Sequence, residues 1–149
     1  MRRRVEFVDT DMAGIVHFSN FFRWMEQAEH AFFRSLGFTL HSQSPGEMYG
    51  WARVHASCDY AKPLRYQDLI EVQLRVTKKS VATITYELVF FRIDTPELST
   101  PEDHNGEREE VARGAMKTCC VSKEGSETIR AREMPADIDA AIDVAQGSV

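Results

Sequence analysis

A single helix pattern followed by a series of strand patterns constrains the fold of this chain most. Apolar side chains recur every three or four residues from Phe21 to Leu36, as on one face of an α-helix, and Gly37 follows where helices commonly end. Strand patterns then follow over residues 51–60, 68–77, 81–92 and 109–122. The order predicts an α+β fold in which one long apolar helix packs against an antiparallel sheet of about five strands.

Shorter segments complete the predicted order of elements. Residues 4–8 alternate as a first strand, with Val5 and Phe7 on one face, and residues 9–14 form a polar turn. Residues 78–80 join two strands as a tight hairpin, and residues 94–108 form a polar surface loop. Gly114 indicates a bulge, and a short tail helix follows residue 135. No linker divides the chain, so residues 1–149 are predicted to form one domain.

Composition narrows the classes of protein. With 149 residues, of which 43% are hydrophobic, the chain is long enough to build a core without metals or disulfides. A net charge of -5 gives no general attraction to nucleic acid, so a polyanionic ligand requires a local basic patch. We find no secretory signal and no apolar run of the roughly 20 residues that span a bilayer. The odd count of three cysteines favours a reducing compartment, and we expect a cytoplasmic protein.

Common catalytic motifs are missing from the sequence. The five histidines are scattered, and no Cys-x-x-Cys, glycine-rich nucleotide loop or Gly-x-Ser-x-Gly turn occurs. We therefore expect no metal and no cofactor. Cys58 lies in phase with the predicted inner face of a strand, which favours a small core residue over a nucleophile. Because an antiparallel sheet has two edges to protect, we also expect dimerisation through an edge.

The acidic turn ahead of the helix offers two interpretations. Asp9 and Asp11 can both shape a turn through their side chains, as such residues often do. Alternatively, one carboxylate faces a site whose other wall is the helix N-terminus, with its unpaired N–H groups and positive dipole end. That pair suits acyl transfer, because the carboxylate attacks or activates water while an N–H group holds the developing oxyanion.

Residues 5–26 resemble the signature of the 4-hydroxybenzoyl-CoA thioesterase family, which includes the Tol-Pal-associated acyl-CoA thioesterases, and residues 58–68 support the resemblance. The resemblance implies a hot-dog fold, in which a curved antiparallel sheet wraps the long helix. It also implies a homodimer with active sites at the subunit interface, or a tetramer, since hot-dog proteins pair dimers in more than one way. The implied activity is hydrolysis of an aliphatic or aromatic acyl-CoA, with CoA as part of the substrate.

The resemblance also assigns residues to the site. Asp11 takes the position of the catalytic nucleophile or general base, and the backbone N–H of Phe18 that of the group that polarises the carbonyl. Substrate contacts fall on Gly14, Ile15, Asn20, Lys78, Lys79 and Arg130, of which the last three match positions that contact the CoA phosphates. His17 is displaced by one residue from the histidine of the Tol-Pal-associated branch, so it is a secondary catalytic candidate.

Several alternatives stay open. The substrate could be an acyl carrier protein thioester, or the chain could be a non-catalytic hot-dog module that binds an acyl thioester. A hot-dog dehydratase is a third interpretation, although no histidine is obviously placed for it. Glu26 and Glu29 lie on the helix, where another hot-dog lineage has its catalytic glutamate, and we expect solvated or subunit-facing side chains there. The acyl group is not defined by the sequence.

Overall fold

The computed structural model describes residues 1–42, 48–93, 106–124 and 128–146. Its elements in chain order are β1 (Arg2–Arg4), a 3-10 helix (Phe7–Asp9), α1 (Ser19–Ser35), β2 (His41–Ser42), β3 (Tyr49–Tyr60), β4 (Leu69–Lys79), β5 (Thr83–Ile93), β6 (Arg108–Glu124), β7 (Thr128–Ala131) and α2 (Ala136–Ala141). One long helix and four long strands confirm the predicted α+β class. Most of the predicted loop at 94–108 lies outside the described residues, whereas β6 continues through Gly114.

The strands form one sheet in the order β1-β4-β5-β6-β3-β2, and β7 pairs with β6 beside this path. Strand β1 pairs antiparallel with β4, with Arg3 opposite Ile70. Strand β2 pairs antiparallel with β3 at only two positions. Among the described residues, the outer side of β3 is therefore paired only at its start. No helix in this described part of the chain is long and apolar enough to cross a membrane.

Contacts between residues divide the chain into two compact units. The first comprises Met1–Ala28, Cys58–Leu74 and Leu88–Gly114, and the second comprises Glu29–Ser57, Arg75–Glu87 and Ala115–Val149. That residues 1–149 form a single domain stays a prediction.

In the first unit, the start of α1 packs against strands β3 and β5 through aromatic side chains. The Phe21 ring lies 5.1 Å from the Phe90 ring and 5.0 Å from the Tyr60 ring, each in an edge-to-face arrangement. Phe21, Trp24 and Met25 are buried. Such aromatic pairs add to the hydrophobic effect of burial, so they fix the position of the helix start within this unit.

In the second unit, the end of α1 buries a charge as well as aromatic rings. Phe33 packs on Trp51 with ring centroids 5.5 Å apart. Glu29 is fully buried and forms a 2.5 Å ion pair with Arg53 of β3. The expectation that Glu29 is solvated or subunit-facing is therefore wrong, because Arg53 and the neighbouring Tyr86 enclose its carboxylate. Glu26 is exposed, as expected.

The predicted first strand at residues 4–8 is also wrong. Strand β1 ends at Arg4, and a 3-10 helix begins at Phe7. The cause is a reciprocal pair of hydrogen bonds in which the side chains of Glu6 and Asp9 each accept from the other's backbone N–H. These bonds close a turn inside the predicted strand, and Phe7 is left 76% exposed.

The predicted inner face of residues 51–60 is less buried than its alternation suggests. Val54 is 55% exposed, Ala56 is also exposed, and Cys58 is half-buried rather than a core residue. Strand β3 is followed in the sheet only by the two-residue strand β2, so few neighbouring side chains are available to cover this face. In β5, by contrast, Ile84 and Phe90 are fully buried, in agreement with the alternation.

Candidate active site

A tight turn in the first unit presents Asp11 ahead of α1. The Asp11 carbonyl accepts a hydrogen bond from Gly14 N at 3.0 Å, and the Asp11 N–H donates to the Ile15 carbonyl at 2.9 Å. The Asp11 Oδ1 atom accepts from Ala13 N at 2.8 Å. Gly14 has a φ of +72°, a conformation that is costly for residues with a Cβ. The turn holds the Asp11 carboxylate at an exposed position.

The neighbouring Asp9 has a different environment. It is buried, and its Oδ2 accepts from Arg3 Nη2 at 3.1 Å and from Glu6 N at 2.9 Å. Its carbonyl accepts from His17 N at 2.9 Å and from the buried Asn20 Nδ2 at 2.8 Å. Asp9 and Asn20 therefore join the turn to the helix start. The purely structural interpretation of the acidic turn fits Asp9, and the contact of Asn20 with substrate stays a prediction.

Asp11 borders a cavity of about 400 Å³ within the first unit. The lining residues are Asp11, Ile15, Val16, Phe18, Phe21, Tyr60, Ala61, Lys62, Pro63 and Leu64. Apart from Asp11, the only ionisable groups in this lining are the Lys62 ammonium, which forms an ion pair with Glu109, and the Tyr60 phenol. A carboxylate at the edge of a largely apolar cavity is an arrangement that can bind an acyl group and act on its carbonyl.

Phe18 brings the start of α1 to the same cavity. Helix α1 begins at Ser19, and the first turn closes through hydrogen bonds from Asn20 N to the His17 carbonyl at 3.0 Å and from Phe21 N to the Phe18 carbonyl at 3.2 Å. No acceptor for the Phe18 N–H is present among the described residues. An N–H at a helix start carries the positive end of the helix dipole and can stabilise an oxyanion.

His17 lies on a second cavity rather than on the first. Its Nδ1 atom is 2.8 Å from Ser19 Oγ, and its ring lies 4.5 Å from the Phe18 ring. The second cavity, of about 760 Å³, is bordered by His17, Arg23 and also Asp11. The described residues contain no group of three or more His, Cys, Asp or Glu side chains that could hold a metal ion.

Two groups near the cavity stay protonated at neutral pH. Burial, more than any nearby charge, raises the pKa of the Cys58 thiol to about 11 and that of the Tyr60 phenol to about 12. A thiol with such a pKa is a poor nucleophile, because only the thiolate attacks carbonyl groups readily. Asp11 is therefore the better candidate for nucleophile or base.

Comparisons with known proteins show the family of this chain. A family model described as the thioesterase superfamily matches residues 13–99. The chain belongs to the thioesterase superfamily. A protein from Aquifex aeolicus that is named as an esterase is 42% identical over 93 residues, which are 62% of this chain and 72% of that protein. A 1,4-dihydroxy-2-naphthoyl-CoA hydrolase from Prochlorococcus marinus is 30% identical over 82 residues, which are 50% of this chain and only 54% of the hydrolase.

Solved structures extend the likeness to nearly the whole fold. The structure of 4-hydroxybenzoyl CoA thioesterase from a Pseudomonas strain is 25% identical to this chain, with a TM-score of 0.78, and covers 95% of this chain and 96% of its own. The prediction of a hot-dog thioesterase is thereby confirmed. The chain is a thioester hydrolase by family, and acyl-CoA thioesterase activity is supported at that level.

The cations assigned to the CoA phosphates in this thioesterase lie in the second unit. The Lys79 ammonium donates to the carbonyls of Asp139 at 2.6 Å and Ile142 at 2.8 Å, at the end of α2. The Lys79 ammonium thus binds the end of α2, which makes it less available to bind a phosphate. Lys78 and Arg130 are exposed.

Among the cavity-lining residues that sequence reasoning overlooked, two carry a polar side-chain group, Tyr60 and Lys62. Both lie in the segment 58–68 that supported the family resemblance, but no chemistry was assigned to either. The sequence did contain a signal for Tyr60, because it is an aromatic residue at the last position of a strand pattern, directly before a turn.

Proposed function

We propose that this thioesterase hydrolyses an acyl-CoA with Asp11 as nucleophile or general base and the Phe18 N–H as the group that polarises the carbonyl. The observation that supports it most is that Asp11 and Phe18 line the same cavity. Asp11 is exposed there, whereas the Asp9 carboxylate accepts hydrogen bonds from Arg3 and from Glu6 N. The acyl group is aliphatic or aromatic. The relatives named above as naphthoyl-CoA and hydroxybenzoyl-CoA enzymes favour an aromatic acyl group.

The proposed reaction follows from the two groups. The Asp11 carboxylate adds to the thioester carbonyl carbon, which leads to a mixed anhydride once the thiolate has left, or it takes a proton from the water that adds there. The carbonyl oxygen becomes an oxyanion, which the Phe18 N–H and the helix dipole stabilise. The C–S bond then breaks and the thiolate takes up a proton. When an anhydride forms, water hydrolyses it, and in either case the products are a carboxylic acid and free CoA.

The cavity suggests how the substrate lies. Its apolar lining, with Ile15, Val16 and Leu64, suits the acyl group, and Gly14 and Ile15 belong to the turn that carries Asp11. We further propose that the enzyme uses no metal or cofactor beyond the CoA of its substrate. We also propose that it acts in the cytoplasm, which the odd number of cysteines favours, and that it forms a homodimer or tetramer, as the family resemblance implies.

A thiol-release assay tests the proposed activity. The full chain is offered short, long and aromatic acyl-CoA thioesters, and we expect release of CoA from at least one of them with saturable kinetics. Binding of every thioester without turnover would instead support a non-catalytic binding module. Hydration of an enoyl thioester without thiol release would support a dehydratase. Comparing one acyl group on CoA and on acyl carrier protein decides between the two carriers through kcat/KM.

We also propose that Lys78 and Arg130 contact the CoA phosphates, as the family resemblance implies, and this proposal predicts an effect on KM. Replacing both Lys78 and Arg130 by Met should raise KM for an acyl-CoA by about 3- to 10-fold, because each lost charge contact contributes of the order of 0.5 kcal/mol at an exposed site. The KM for the same acyl group on pantetheine, which lacks the nucleotide phosphates, should stay unchanged. Lys117→Met, at another exposed lysine, is the matched control. An equal change in KM for both thioesters would contradict the assignment.

A further inference from the structure

Tyr60 lies between the cavity of the first unit and the aromatic side chains that pack the start of α1. It ends β3, lines the cavity with Asp11 and Phe18, and is 46% exposed. The buried Phe21 ring packs edge-on against the Tyr60 ring at 5.0 Å. One side of the ring is thus held by the core, while the phenol oxygen reaches the start of α1.

The contact that matters is between Tyr60 and the backbone of Phe18. The Tyr60 hydroxyl donates to the Phe18 carbonyl at 3.4 Å, although the two residues are 42 positions apart in sequence. The same carbonyl accepts from Phe21 N at 3.2 Å. Two donors from different elements therefore hold the carbonyl of the residue whose N–H faces the proposed oxyanion.

The Tyr60 hydroxyl keeps its proton for this contact. Burial raises the pKa of Tyr60 to about 12, so the phenol is neutral throughout the range in which the enzyme can be assayed. The Cys58 thiol, whose pKa burial raises to about 11, lies within hydrogen-bonding reach of the phenol oxygen.

We propose that Tyr60 is a positioning residue, which through its hydroxyl holds Phe18 so that the Phe18 N–H is aimed at the thioester carbonyl. The proposal rests on the function proposed above and adds a residue to it. Because the oxyanion forms only as the reaction proceeds, correct aim of the N–H stabilises the transition state more than the bound substrate. Loss of the hydroxyl should therefore lower kcat and leave KM nearly unchanged.

The test compares Tyr60→Phe with Tyr66→Phe in the full chain. Tyr66 is also exposed, at 51%, but its ring contacts Phe7 and it does not line the cavity of Asp11. With the best acyl-CoA of the parent, we expect Tyr60→Phe to lower kcat by about 3- to 10-fold, with KM within 2-fold and thermal unfolding unchanged. Tyr66→Phe should match the parent in all three measurements.

Each other outcome overturns the inference. A parental kcat in Tyr60→Phe, an effect on KM alone, or an equal loss of kcat in both variants would each show that the Tyr60 hydroxyl does not position Phe18. Failure of the proposed function is distinguishable, because the parent protein itself would then release no thiol. If the parent is active and Asp11→Asn is inactive while Tyr60→Phe retains full kcat, only the role of Tyr60 fails.

Discussion

Replacing Asp11 by Asn should lower kcat by about 10³-fold or more, with KM changed by no more than a few-fold. The amide has the shape of the carboxylate, and its oxygen can still accept the 2.8 Å hydrogen bond from Ala13 N, so the turn should persist. The negative charge is lost, and with it the ability to attack a carbonyl or to take a proton from water. The rate of thiol release at saturating acyl-CoA measures the change in kcat.

Asp9→Asn is the matched control, two residues away in the same turn. Asp9 accepts from Arg3 and from Glu6 N, and it does not line the cavity with Phe18 and Tyr60. Its replacement should lower the free energy of unfolding by about 1–3 kcal/mol, because a buried charged hydrogen-bond partner is lost. If instead Asp11→Asn kept a kcat within tenfold of the parent, Asp11 would be neither nucleophile nor base. In the parent protein, a single turnover in H₂¹⁸O tests the role as nucleophile, because ¹⁸O enters Asp11 only through an anhydride, whereas direct attack by water places the label in the acid product alone.

The main elements were predictable because they depend on hydrophobic periodicity. The α1 stripe at Phe21 and Met25 and the alternation through Ile84 and Phe90 are both buried as the periods require. The first strand was mispredicted because hydrogen bonds between Glu6 and Asp9 compete with extended structure in residues 4–8. The apolar pattern of the sequence does not reveal these bonds.

The site was only partly predictable, because its decisive contacts join distant positions. Asp9 and Asp11 are the same residue type in one turn, and their contacts distinguish them: the buried Asp9 carboxylate accepts from Arg3 and from Glu6 N, whereas Asp11 is exposed. Lys79 matched a phosphate-binding position, but α2 reaches it from 60 residues away and takes its ammonium. The Tyr60 hydroxyl likewise contacts the carbonyl of Phe18, which lies 42 residues earlier in the chain.

Replacing Arg53 by Met should lower the free energy of unfolding by about 3 kcal/mol at neutral pH, the second large effect that we expect. The Glu29 carboxylate is fully buried, and Arg53 is the cation that pairs with it, at 2.5 Å. Burial, together with the Glu29 charge, holds the pKa of Tyr86 above its usual range, so Tyr86 stays protonated beside the carboxylate. A neutral phenol cannot replace the guanidinium charge, and Met leaves a buried anion without its counter-charge. Urea unfolding measures the loss.

A double variant and a surface control separate the buried charge from lost packing. Glu29→Met combined with Arg53→Met removes both charges and should recover most of the stability lost in Arg53→Met, because an apolar pair of similar volume carries no desolvation cost. Arg113→Met removes a cation from an exposed pair with Glu110 and should cost less than about 1 kcal/mol. If the double variant were as unstable as Arg53→Met, the loss would come from packing of the Arg53 stem on β3 and not from the charge of Glu29.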